Sequence, residues 1–189
     1  MKITAKKAYH PDHPNEFAAA TTHGKEVKAS PKYWFRCEHS PIRLFRYLIR
    51  YDSIKLFIST HLVRHGKFAE HACMTMRDDL RPEHVEDKGR ETLVNHIIET
   101  NAQELIAISR KRLCYKSHRE TVATWTKTCN AIKEVEPDLH TFLVPECVYR
   151  NGICPEHKEC DVGLNNVMRA YVTYPLMPSW TKRHLSCKD

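Results

Sequence analysis

The sequence predicts an α/β (α+β) fold in which a central mixed sheet is flanked by long helices. Three observations carry that expectation. The apolar, β-branched run IKLFISTHLV at residues 54–63 reads as a buried strand. TLVNHII at 92–98 reads as a second strand. Residues 102–134 carry the 3/4 spacing of a long helix. With 189 residues, 41% of them hydrophobic, the chain has material for one core. It reads as a single domain, with an irregular N-terminal segment 1–35, a core 36–137 and a Cys- and Pro-containing segment 138–189.

Residues 1–35 are small or polar with little periodicity, and leave room for one short strand. Ser40-Pro41 is a helix start, Ser capping and Pro in the first turn. From Pro41 to Tyr51, Leu44, Tyr47, Leu48 and Tyr51 share one helical face, so a helix is expected there. The strand 54–63 runs into Arg64-His65-Gly66, and a long polar connection spans 66–90, including Pro82 and Glu83. Asn101 and Glu104 form a capping box ahead of the long helix. Its second half repeats Val122, Trp125, Cys129 and Ile132, and Pro137 ends it. Beyond lie short segments broken by Pro145, Pro155, Pro175 and Pro178.

Charge and composition exclude several function classes. Thirty basic against 23 acidic residues give a net charge of +7, which suits an anionic partner without choosing one. Five glycines and no Gly-x-Gly exclude a Gly-rich dinucleotide fingerprint or a P-loop. No apolar run reaches the roughly 18–20 residues of a membrane span. The N-terminus lacks an apolar signal core, so a cytoplasmic protein with eight reduced cysteines is expected.

Arg64 and His65, at the end of an expected strand, offer a guanidinium fork and a second donor to a phosphate or carboxylate; a surface pair in a turn fits equally. Arg112, Lys116 and Arg119 share a helical face, which is either a ligand face or simply a solvated one. Cys147, Cys154, His157 and Cys160 supply four zinc-type ligands, without the CxxC spacing of a zinc finger. Cys73, two residues after His71, and Cys114, four before His118, pair thiols with imidazoles outside any local protease or synthase pattern. Cys37, Cys129 and Cys187 are isolated.

Taken in order, several segments resemble the flavin-dependent thymidylate synthases. Glu38-His39-Ser40-Pro41 is similar to the family's His/Ser/Thr-Pro segment. His61-Leu-Val-Arg64-His65-Gly66 resembles its Arg-His-Arg signature with a Gln or His three residues ahead. Asn101-Ala-Gln-Glu-Leu105 followed by Arg110-Lys-Arg112-Leu-Cys114 resembles its Asn-x-Arg-x-Leu…Arg-Leu-Cys helix, and Cys147…Gly152-x-Cys154-Pro-Glu…Cys160 a tail seen in family members.

The resemblance implies an α/β homotetramer with active sites between subunits. It implies methylation of dUMP to dTMP, with methylenetetrahydrofolate as carbon donor, NADPH as reductant and FAD as hydride carrier. Ser40, Arg64, His65 and Asn101 would hold FAD, and His61, Arg77, Arg112 and His118 the nucleotide; Arg112 and His65 would be catalytic. The pattern also departs from the family. Gly66, Gln103 and Met76 stand where it has Arg, Met74 where it has Ser, Ala72 where it has an acid, and His118 where it has Gln. Glu70 and Arg77 are the nearest substitutes in a shifted register. Two other readings follow. One is a homologue that binds a pyrimidine deoxynucleotide but performs different chemistry, such as hydroxymethylation, or none. The other is a zinc-stabilised nucleic-acid binder.

Overall fold

Phe45, Tyr47, Ile49 and Tyr51 alternate with Arg46, Leu48 and Arg50, and that period of two decides the local structure. The first set is buried. In the computed structural model, which describes residues 1–10, 13–20, 24–80, 86–172 and 174–175, the segment is strand β2 (Arg46–Lys55), preceded by a 3-10 turn over Ser40–Leu44. The helix expected over 41–51 is thereby replaced: its 3/4 face was a coincidence within an alternating, aromatic-rich run. Pro82, Glu83, Pro178 and Cys187 lie outside the described residues.

Residues 54–63 depart the other way. After a bulge between Tyr51 and Ile54, with Ser53 at φ 60°, the chain turns into helix α3 (Leu56–Val63). Phe57, Ile58 and Leu62 are its buried apolar positions. A short apolar run has no periodicity that separates a buried strand from a buried helix, and here the helix forms. Leu56 N–H donates to Thr92 O (2.8 Å), anchoring the first turn.

The sheet contains four strands in the order β1-β2-β4-β3, with β1 (Lys2–Tyr9), β3 (Ala69–Cys73) and β4 (Leu93–Asn101). Every pairing is antiparallel, so the expected mixed sheet is corrected. The reason is topological. β2-α3-β3 would make a parallel crossover, but β4 inserts between the two strands and pairs antiparallel with both. The 92–98 strand expectation corresponds to β4.

One sheet face is buried. Tyr47, Ile49 and Tyr51 lie opposite Thr100, Ile98 and His96. The other face carries Arg46 and Glu99 in a 2.9 Å cross-strand ion pair. Helix α5 (Arg119–Val135) helps cover the buried face through Thr121, Thr124, Trp125, Thr128, Cys129 and Ile132. Thr128 Oγ1 donates to the buried Tyr51 hydroxyl (3.1 Å).

The long helix expected over 102–134 is two helices. α4 (Ala102–Arg112) stops at Leu113, and α5 starts after His118. Ser117 Oγ donates to Lys111 O (2.7 Å), which satisfies a carbonyl at the end of α4. Neither Gly nor Pro marks this break. Shorter helices complete the fold: α1 (Pro14–Ala20), α2 (Pro31–Cys37), α6 (Pro137–His140), α7 (Glu146–Tyr149) and α8 (Leu164–Ala170). No helix among the described residues is long and apolar enough to cross a membrane.

α4 and α5 are bolted together by one polar chain in the core. Trp125 Nε1–H donates to Ser109 Oγ (2.9 Å), which donates to Leu105 O (2.7 Å). Ser109→Ala leaves the buried indole N–H unpaired. We expect a loss of about 1–3 kcal/mol, read as a lower urea midpoint; an unchanged midpoint contradicts the assignment.

Candidate active site

Arg64 and His65 follow the last turn of α3, not a strand end as the sequence suggested. Arg64 is the C-cap, and His65 N–H bonds back to Leu62 O (3.0 Å). A helix C-terminus presents unpaired carbonyls and a partial negative charge, which favours nearby cations. Arg112, at the end of α4, supplies one. Its Nη2 donates to His61 O (2.6 Å) and its Nε to His65 Nε2 (2.8 Å). One guanidinium thus fixes the end of α3 and orients the His65 ring.

This geometry sets the state of His65. An Nε2 that accepts from Arg112 carries no proton, so the neutral ring keeps Nδ1–H as its donor. Burial, then Arg112, pushes its pKa down to about 4. His61 is shifted down as well, by burial and then by Arg112, Arg64, His118 and Arg90, and its Nδ1 lies 2.9 Å from Thr121 Oγ1. His118 sits beside Phe57, with ring centroids 4.8 Å apart, and 6.4 Å from His61. Arg112 itself is shifted down by burial and by Arg64, so the two guanidiniums feel each other across the end of the helix.

Two cavities flank this end. One, of about 440 Å³, is lined by Leu56, Phe57, Thr60, His61, Arg64 and Arg90. The other, of about 370 Å³, brings His65 and Arg112 together with Arg110, Lys111 and Lys116. Arg64 and Arg112 therefore face different cavities on either side of His61 and His65. Arg90 was not among the sequence candidates. Arg90 sits in a polar connection with no periodic signal, and its guanidinium lies 4.8 Å from the Phe57 ring centre.

Other candidates lie apart. Ser40 lines a third cavity, of about 320 Å³, with Tyr33, Trp34 and His39. Asn101 caps α4, its Oδ1 accepting from Glu104 N–H (2.9 Å), which leaves its amide nitrogen without a role in the cap and able to meet a ligand. Arg77 is exposed and held by both oxygens of Asp79 (2.6 and 3.0 Å). Met74 and Met76 pack against the core, which explains how thioethers stand at these positions. Gln103 Oε1 accepts from Arg43 Nε (2.6 Å), so a guanidinium reaches this spot from the turn before β2.

Among the described residues no group of three or more His, Cys, Asp or Glu could hold a metal ion. Cys147, Cys154 and Cys160 spread along the wall of the 370 Å³ cavity, joined by Cys114, while His157 is absent from that lining. Burial pushes the Cys114 thiol up and that of Cys147 to about 11, which keeps both protonated.

His65 and His96, both depressed to about 4 chiefly by burial, make stability pH-dependent. Well above pH 6.5 both are neutral, folded or unfolded. As pH falls towards 4, the unfolded chain binds protons that the folded chain refuses, so stability declines across that window. We expect His65 to titrate near 4 by NMR and to move upward in Arg112→Ala; a shift in the opposite direction contradicts the pairing.

No family model matches the chain, and no curated protein matches it. Solved structures share its fold, among them two of one protein. Both are the flavin-dependent thymidylate synthase ThyX of Helicobacter pylori with FAD and dUMP. The first is 12% identical, covers 74% of this chain and 99% of its own, and has a TM-score of 0.57. The second is 11% identical, covers 69% and 93%, and has a TM-score of 0.54. The antiparallel sheet and its helices are thus of the ThyX type.

Proposed function

We propose that the protein is an FAD-dependent thymidylate synthase, methylating dUMP to dTMP with methylenetetrahydrofolate and NADPH, as a homotetramer with sites between subunits. The observation that carries this reading is the cationic end of α3, where Arg112 is bonded to His65 and Arg64 lines the neighbouring cavity, in a fold shared with structures that hold FAD and dUMP. Anionic phosphates without a P-loop require guanidinium donors, and these residues provide them.

The residues fit a flavin dinucleotide. Trp34 Nε1 and Arg110 Nε are buried without a hydrogen-bond partner, and both residues line cavities. Such donors call for acceptors from a guest. Arg64 and the Nδ1–H of His65 would hold the cofactor, with Ser40 and His39 at its adenosine end and the amide nitrogen of Asn101 near its ring. When bound, FAD supplies hydride chemistry that no side chain offers. The chain's own part is positioning. Arg112 keeps His65 neutral and oriented, His61 borders the nucleotide space with the His118 ring 6.4 Å behind it, and the 440 Å³ cavity presents Arg64 and Arg90 to an anion.

Met74, Met76 and the Arg77–Asp79 pair favour a second reading, a pyrimidine deoxynucleotide binder with altered chemistry. Thioethers donate no hydrogen bonds, and Arg77 is already held by a carboxylate. Purified protein incubated with FAD should gain flavin absorbance and convert dUMP to dTMP. Stabilisation by dUMP without flavin uptake supports the second reading instead.

Arg64→Ala should weaken FAD by more than about 1.5 kcal/mol, roughly tenfold, by equilibrium titration. Arg112→Ala should weaken FAD and dUMP together, because it frees His65 as well; loss of one ligand alone contradicts that role. Gly66 has no left-handed backbone, and a Cβ there would meet only Val63 O at 3.9 Å. Gly66→Arg should therefore fold normally and tighten FAD by about tenfold, in keeping with one added charged hydrogen bond. Weaker binding would show that position 66 faces away from the cofactor.

A further inference from the structure

Beside the cationic site, a chain of three side chains leads to a thiol. His71 Nε2 lies 2.9 Å from His65 O, which can only accept, so that nitrogen carries the ring proton. The His71 Nδ1 then accepts from His96 Nε2–H (2.9 Å). His96 Nδ1 is left as an acceptor, 2.8 Å from Ser59 Oγ and 3.5 Å from Cys73 Sγ. Ser59 Oγ also lies 3.5 Å from that sulfur. One backbone carbonyl thus fixes both tautomers and leaves an unprotonated imidazole nitrogen within reach of both the Ser59 hydroxyl and the thiol. Ser59 and His96 are buried, whereas Cys73 is exposed on the edge strand β3. A cavity of about 360 Å³ opens there, lined by Cys73, Ser59, Leu56, Thr60, Val63 and Arg64.

We propose that Cys73 is a nucleophilic thiol that exchanges with small disulfides carrying a carboxylate, with His96 and His71 as its proton relay and Arg64 as the anion contact. The thiol gives its proton to His96 Nδ1 while His96 passes its Nε2 proton to His71 Nδ1. The Cys73 thiolate, hydrogen-bonded by the Ser59 hydroxyl, attacks one sulfur of the disulfide. That S–S bond breaks, a protein–ligand S–S bond forms, and the departing thiolate takes a proton back through the same chain, leaving as a free thiol. The disulfide is the oxidant and no other is needed. Burial holds His96 down to about 4, so the proton does not rest there. None of this requires a flavin, so its failure would leave the synthase reading intact.

The test uses the full, reduced chain and oxidised glutathione as the probe, with peptide mass spectrometry following each cysteine. Cys73 should form the mixed disulfide at least tenfold faster in the native chain than in the urea-unfolded chain; anything less overturns the proposal. His71→Gln should slow Cys73 at least tenfold with unchanged circular dichroism. It decides the matter even if His96→Gln fails to fold, and a rate equal to wild type refutes the relay. Arg64→Gln should slow oxidised glutathione but not the neutral bis(2-hydroxyethyl) disulfide; equal effects on both overturn the anionic ligand class.

Discussion

The contact on which the site depends is the pair of hydrogen bonds from Arg112 to the end of α3. One goes to a helix-terminal carbonyl, the other to the His65 ring. A half-buried guanidinium stays charged, and its desolvation is offset only where its donors find acceptors; here they lie at the end of a different helix. The residue that looks like an anion ligand is thus already employed in joining α4 to α3. Its remaining donor capacity, with Arg64 across the helix end, is what a guest can use. Cations crowd this region, and its imidazoles answer by staying neutral: His61 and His65 are both shifted down by burial and by guanidiniums. The result is a site whose positive charge comes from Arg and whose His residues act as hydrogen-bond partners.

Parts of this were legible in the sequence, and the failures have physical causes. The Asn101 cap and strand β4 follow from local chemistry, since a side-chain oxygen three residues before a free N–H and an apolar alternation need no tertiary help. The stripe on α5 was also visible, although the structure extends it through Thr121, Thr124 and Thr128, whose hydroxyls find partners inside. The segment 41–63 was read in reverse, helix for strand and strand for helix. Tyr47 and Tyr51 fit both periods, and a run as short as 56–63 takes its conformation from what packs on it.

For the site itself, the motif order brought Arg64, His65 and Arg112 forward, and the structure brings His61 and His118 beside them. Spacing alone could not reveal that Arg112 would be tied to His65, because the contact joins residues 47 positions apart. Nor could it show Arg90, which reaches the cavity from an irregular turn, or Arg43, which meets Gln103 from another element. Long-range polar pairing of this kind leaves no periodic trace in a chain.

The insertion of β4 between β2 and β3 has a consequence for how the molecule assembles. Neither flanking strand has its central partner until residues 93–101 arrive, and each β2–β4 pair closes a loop of tens of residues. Such non-local pairing makes for slow folding. During synthesis, the edges of β2 and β3 wait unpaired until the ribosome has delivered that last strand, and this interval is when the nascent chain is most open to mispairing with another copy.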